Sequence, residues 1–102
     1  MSNEQQIEQE IKDKGLNAPR LTPALIDEVI VGEDYHVFEG TTLTVCALKL
    51  RNGFIVTGES SSVSRENFDS DIGKKVARQH AREKIWALEG YLLKQKLWDA
   101  QQ

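Results

Sequence analysis

Arg78 and Arg82 are the side chains of this sequence best suited to recognition chemistry. Four positions apart in a stretch without proline, they fall one helical turn apart on a common face. Paired guanidinium groups fork onto phosphate oxygens, and their flat faces stack on aromatic or purine rings. Trp86 stands a further turn along, in cation–π reach of Arg82. The charge around them is uneven. Residues 72–84 carry Lys74, Lys75, Arg78, Arg82 and Lys84 against Glu83 alone, whereas residues 1–13 carry Glu4, Glu8, Glu10 and Asp13 against Lys12 alone. A basic patch on a chain of net charge −3 attracts a small anion without gathering nucleic acid indiscriminately. The plain alternative is a solvated helix face on which Arg78 and Arg82 pair with Glu59, Glu66 or Asp69.

Other chemistry is thin. His36 and His80 are the only histidines, and neither has a metal-ligand companion at a useful spacing. The single cysteine, Cys46, excludes an internal disulfide and a cysteine-based zinc site, and its place in an apolar run reads as a small buried hydrophobe. Ser60-Ser61-Ser62 lacks a nucleophile elbow, and neither Gly53 nor Gly58 precedes a helix as a phosphate loop requires. The expectation is a binding protein rather than an enzyme, with no catalytic residue, metal or cofactor.

The elements that must position these residues follow from pattern. With 102 residues, 39% hydrophobic and 28% charged, the chain has the size and composition of one globular domain. Its apolar runs are only a few residues long, as from Val45 to Leu48, so no membrane-spanning helix is expected. The opening MSNEQQIEQE is acidic and polar, unlike a secretory leader, which points to a cytoplasmic protein. Residues 1–21 read as a polar segment, a marginal helix on Ile7 and Ile11 or a linker through Gly15, Asn17 and Pro19, and 22–102 as a single domain. Thr22-Pro23 is an N-cap and first-turn pair for a short helix over 23–30, stopped by Gly32. Three strands are expected over 34–39, 42–50 and 54–60, the last two joined at Asn52-Gly53, where both residues tolerate positive φ. Asp69 or Ser70 then caps one long helix from Asp71 to about Leu97, with Gly73 and Gly90 as its weak points.

The expected fold class is therefore α+β: a small antiparallel sheet packed by a long C-terminal helix and a short N-terminal one. On the long helix Ala77, Ala81, Ile85, Leu88 and Leu92 form one stripe, and the small alanines let a sheet approach closely. Ile72, Val76, Trp86, Leu93 and Leu97 lie largely on other faces. One thin sheet cannot cover them all, so a second surface is needed, either another copy of the chain or the N-terminal helices.

Thr44-Val45-Cys46, Asn52-Gly53-Phe54 and Thr57-Gly58-Glu59-Ser60 are followed by Asn67-Phe68-Asp69, Ile72-Gly73, Ala77-Arg78, Ile85-Trp86 and Leu88-Glu89-Gly90-Tyr91. In that order, over about residues 22–97, this resembles a family of short accessory proteins of tailed bacteriophages, and looks most like its Thoeris anti-defence branch, the first type described. The resemblance implies a sponge in the host cytoplasm. Such proteins bind cyclic ADP-ribose signals made by host TIR-domain enzymes and hold them uncleaved, as homodimers or homohexamers, some hexamers also holding cyclic trinucleotides at separate sites. It implies that Arg78 and Arg82 grip the pyrophosphate or stack on the purine, that Phe54 walls the base and that Asn67 bonds a ribose hydroxyl or base edge. Arg51, Thr57 and Arg65 are further candidates by proximity to the same seam. Two rival readings remain: a protein-interaction module that inhibits a host protein, and a nucleic-acid-binding accessory protein using Lys74, Lys75, Arg78 and Arg82, which the net acidity disfavours.

Overall fold

The computed structural model describes residues 3–102, so the first two residues of the expected N-terminal segment lie outside the described chain. The elements are α1 (Asn3–Asp13), α2 (Pro23–Glu28), β1 (Ile30–Val37), β2 (Thr44–Leu50), β3 (Ile55–Ser60), a short 3-10 turn (Arg65–Asn67) and α3 (Ser70–Asp99). The fold is α+β: three antiparallel strands in the order β1-β2-β3, with the long C-terminal helix laid across one face and short helices before it. Strand alternation sends Thr44, Cys46, Leu48 and Leu50 of β2 beneath α3, and Val56 and Gly58 of β3 with them. The core is built from these apolar residues together with Ile26, Val29, Ala77, Ala81 and Ile85. Each large aliphatic side chain among them contributes about 1.5–3 kcal/mol by leaving water.

Local chemistry fixes the element ends. Thr22 Oγ1 accepts from Leu25 N–H, capping α2 with Pro23 in its first turn. Asp69, not Ser70, caps α3, its Oδ1 accepting from the Asp71 and Ile72 N–H groups. α2 stops at Glu28, short of residue 30, and β1 starts at Ile30 rather than 34. The cause is the hairpin: Arg51 N–H donates to Val29 O at 2.9 Å, and Ile30 pairs with Leu50, pulling the chain into the sheet as soon as the helix ends. Gly32 therefore sits inside β1, where the register shifts, instead of stopping a helix. The β2–β3 turn also differs from the two-residue form. Gly53 N–H donates to Leu50 O at 2.8 Å and only Gly53 takes a positive φ, of 90°, giving a three-residue Arg51-Asn52-Gly53 loop. Asn52 instead serves through its side chain, Oδ1 accepting from Phe54 N–H.

The helix meets the sheet at glycine. A Cβ placed on Gly58 would overlap Ala77 O and Ala81 N, so α3 lies against the backbone of β3 with nothing between. The row facing inward is Gly73, Ala77, Ala81, Ile85 and Glu89. Leu88 and Leu92, expected in that stripe, are 36% and 45% exposed, while Glu89 is 9% exposed. A helix packing along its i, i+4 row keeps that row in contact, which takes Glu89 inward and turns Leu88 out. The second surface is only partly supplied by the N-terminal helices. α2 adds Ile26, and Leu25 and Trp86 pack against the core, but α1 buries no residue. Ile72, Tyr91 and Trp98 remain exposed on α3.

Two helix-facing glycines should respond in opposite directions to alanine. Gly58→Ala forces the helix off the sheet and should cost about 3 kcal/mol or more. At Gly90 an added Cβ meets only Leu21 Cδ1, at an ordinary 3.6 Å. Gly90→Ala should therefore stabilise by about 1 kcal/mol through helix propensity. Urea denaturation of the two variants checks both signs.

Candidate functional site

Arg78 and Arg82 emerge on the α2 and β1 flank of α3, one position after Ala77 and Ala81. Arg78 Nε donates to Glu33 Oε2 at 2.7 Å. Arg82 is more enclosed, with its side chain 15% exposed. Its Nε donates to Asp27 Oδ1 at 2.8 Å, and its two terminal nitrogens fork onto Glu4 at 2.7 and 2.9 Å, with Nη2 also donating to Pro23 O at 3.3 Å. The partners are thus Glu33, Asp27 and Glu4 rather than Glu59, Glu66 or Asp69. Glu33 hydrogen bonding holds the Arg78 guanidinium above its usual range, and Glu4, then Asp27, do the same for Arg82. Both arginines stay charged at any working pH. Trp86 does not stack on Arg82 but packs partly buried against the core. A cleft of about 390 Å³ opens beside Arg82, lined by Asn3, Glu4, Gln79 and Glu83.

The other candidates are spread over the molecule. Phe54 and Arg51 share a cleft of about 350 Å³ at the hairpin end, with Leu50, Asn52, Leu88, Glu89, Tyr91 and Leu92. Thr57 joins Phe54 in a shallow groove along β3 with Lys84 and Leu88. Asn67 lines a hollow of about 70 Å³ with Thr42, Ser60 and Phe68, too small for a nucleotide. Arg65 is spent on the loop before β2, its Nη2 donating to Gly40 O at 2.7 Å. Because β1 and β3 are opposite edges of the sheet, the arginine pair and the Phe54 cleft fall on opposite flanks of α3. One chain does not bring them together.

Over residues 21–97 the sequence matches the model of the phage protein (N4 Gp49/phage Sf6 gene 66) family. The chain belongs to this family. No curated protein and no solved structure matches it. The family match leaves α1 outside and takes in every strand, α2 and most of α3.

The family region also carries residues that composition and spacing did not single out. Glu33 and Asp27 hold the arginines, and Tyr91 and Glu89 wall the Phe54 cleft. Ahead of it, Arg20 forks onto Glu8 at 2.7 and 3.0 Å. The i, i+4 spacing of Glu4 and Glu8 was a visible signal, since it puts two carboxylates on one face of α1. The remaining chemistry is structural. Cys46 is fully buried and burial pushes its thiol up, so it stays a neutral small hydrophobe. His80 donates from Nδ1 to Glu59 O at 2.8 Å, and His36 packs edge-on to Phe38. Among the described residues no group of His, Cys, Asp or Glu is gathered to hold a metal ion, and no helix is long and apolar enough to cross a membrane.

The Glu8–Arg20 pair gives α1 a pH dependence. Hydrogen bonding to Arg20 holds the Glu8 carboxyl below its ordinary range. A lowered carboxylate stabilises docking above its free value, and that contribution is lost as the pH falls through the folded value. α1 should stay docked at neutral pH and lose this contribution as the pH falls below the ordinary glutamate range. Amide exchange over residues 4–12, followed from pH 6 to pH 3, should show this loss before the strands lose protection.

Proposed function

We propose that this member of the phage family sequesters a cyclic ADP-ribose-type signal made by host TIR-domain proteins and holds it without cleavage. The observation that carries the reading is the pair of guanidinium forks on one helix, both already engaged with oxyanions at the surface. Glu33 and Asp27 are 45% and 58% exposed as side chains, so they hold the arginines in shape and can yield to a phosphate. The Glu33 pair is worth about 0.2–1 kcal/mol, whereas at Arg82 the Glu4 carboxylate, forked onto an enclosed guanidinium, has to be displaced as well. Each phosphoryl group of such a diphosphate carries one negative charge, as a carboxylate does, and offers the same bidentate geometry, so one ligand brings two charges to the two arginines.

The aromatic wall that a purine needs is present, but across the helix, in the Phe54 and Tyr91 cleft. The reading therefore includes a homodimer or larger homo-oligomer in which the cleft of one protomer meets the arginines of another. Exposed Leu88, Tyr91, Leu92 and Trp98 on α3, and Phe54 and Ile55 at the hairpin, support such an assembly. The same apolar surface favours the second reading, a module that docks on a host protein.

Isothermal titration of the purified chain with glycocyclic ADP-ribose should give micromolar or tighter binding, with intact nucleotide recovered after heating. The Arg78→Ala/Arg82→Ala double variant should lose at least about 100-fold, the loss expected from two charge-assisted hydrogen-bonding groups. Recovery of cleaved nucleotide, or no heat at micromolar protein, removes this reading. A stoichiometric host protein captured through the Phe54 face in its place would establish the second.

A further inference from the structure

The inward row of α3 runs Ala77, Ala81, Ile85 and then Glu89, where the helix passes the end of β2 and the hairpin loop. Glu89 is 9% exposed, and among the described residues nothing hydrogen-bonds or ion-pairs with its side chain. An enclosed carboxylate without a donor is costly, and an aliphatic residue there would simply extend the core. The cleft of about 350 Å³ that Glu89 lines is otherwise mostly apolar. Phe54, Leu88, Tyr91 and Leu92 bring aromatic and aliphatic surface to it, all of them exposed. Its other charged residue is Arg51, exposed on the hairpin loop and likewise without an ion pair. Water screens an exposed charge, whereas an enclosed one acts at short range through a lower dielectric, so Glu89 sets the sign of what enters.

We propose that this cleft is a binding site for a small organic cation, a planar amidinium or guanidinium carried on an apolar body. A carboxylate offers two oxygens to two parallel N–H donors, which a planar fork supplies and a quaternary ammonium does not. A flat cation also stacks on aromatic faces, here those of Phe54 and Tyr91, while its apolar body covers Leu88 and Leu92. A neutral aromatic ligand leaves Glu89 unanswered, and an anion is repelled by it. The proposal goes beyond the nucleotide-sequestering reading and does not rest on it. It uses neither Arg78 nor Arg82, and its occupant follows from the unpartnered carboxylate in an apolar cleft.

Benzamidinium chloride is the probe and benzamide its uncharged counterpart, each titrated into the full chain and followed by NMR shifts. Benzamidinium should bind at least about tenfold more tightly than benzamide, with the shifts centred on Phe54, Leu88 and Leu92. Glu89→Gln should remove that preference, with a thermal melt confirming its fold. Glu10→Gln, an equal change of net charge on α1, should leave the preference intact. Arg51→Ala should tighten benzamidinium binding, because it removes the opposing charge. Equal binding of the two probes to the native chain overturns the proposal, and this comparison needs no variant to fold. A preference that survives Glu89→Gln, shifts centred elsewhere, or weaker binding on Arg51→Ala overturns it as well. Affinity that falls as protein concentration rises assigns the cleft to a second copy of the chain and also overturns it. Failure of glycocyclic ADP-ribose to bind would remove the sequestering reading alone, and failure of benzamidinium the cation site alone.

Discussion

The contact on which the rest of the molecule depends is the one without side chains, where α3 lies on β3 at Gly58. Ala77 and Ala81 bring helix backbone to strand backbone there, and even a Cβ at Gly58 does not fit without parting the layers. The contact also sets the helix rotation. Arg78 and Arg82 each follow one of these alanines, so the register that seats Ala77 and Ala81 inward turns both guanidinium groups to the same flank. A rotation by one residue would take the alanines off the sheet and the arginines away from Glu33 and Asp27 together. Packing and electrostatics thus specify one arrangement, and neither has to be strong alone.

Ion pairing and ligand recognition are usually set against each other as explanations for an arginine. Here the magnitudes make them compatible. A carboxylate on a surface arginine gains little in water, and Glu33 and Asp27 remain well exposed. What they supply is order: a long side chain already held in one rotamer has less entropy left to lose in any further contact. Arg82 shows the gradation. Four hydrogen bonds to two elements, α1 and α2, fix its guanidinium, whereas Arg78 has one carboxylate partner. The more enclosed group is the more firmly held, and the less enclosed one keeps more freedom to move.

The architecture was legible in the sequence because its signals are local. The β-branched run TLTVCALKL, the Thr22-Pro23 cap, the Asn52-Gly53 turn and the absence of proline after Asp69 each act within a few residues. Local signals underdetermine the features set by tertiary packing. Asn52-Gly53 marks a hairpin but not whether its loop has two residues or three, which the pairing of Leu50 decides. A helical wheel cannot choose between Leu88 and Glu89 for the inward row, because the choice follows from the angle at which the helix crosses the sheet. The arginine partners were illegible for the same reason. Glu33, Asp27 and Glu4 lie 45, 55 and 78 positions away along the chain, and only the folded path of β1, α2 and α1 brings them in.

A chain this small presents its cationic and aromatic surfaces back to back. The helix between them is one layer thick, and its 30 residues, about 45 Å at 1.5 Å each, outrun a sheet whose longest strand has eight. The overhang carries Tyr91 and Leu92 into solvent beside Phe54 of the hairpin, and Trp98 farther out. If two copies pair with these surfaces facing, two-fold symmetry repeats every contact, so a cleft of the first protomer against arginines of the second implies the converse as well. Each dimer then offers two equivalent composite sites, each with a cationic grip from one chain and a flat wall from the other. Sequestering a nucleotide that bears both a diphosphate and a purine calls for those two halves, and the arginine flank and the Phe54 cleft of a single protomer cannot close on one molecule. The sequestering reading therefore entails self-association, with the binding stoichiometry and the oligomeric state tied to each other.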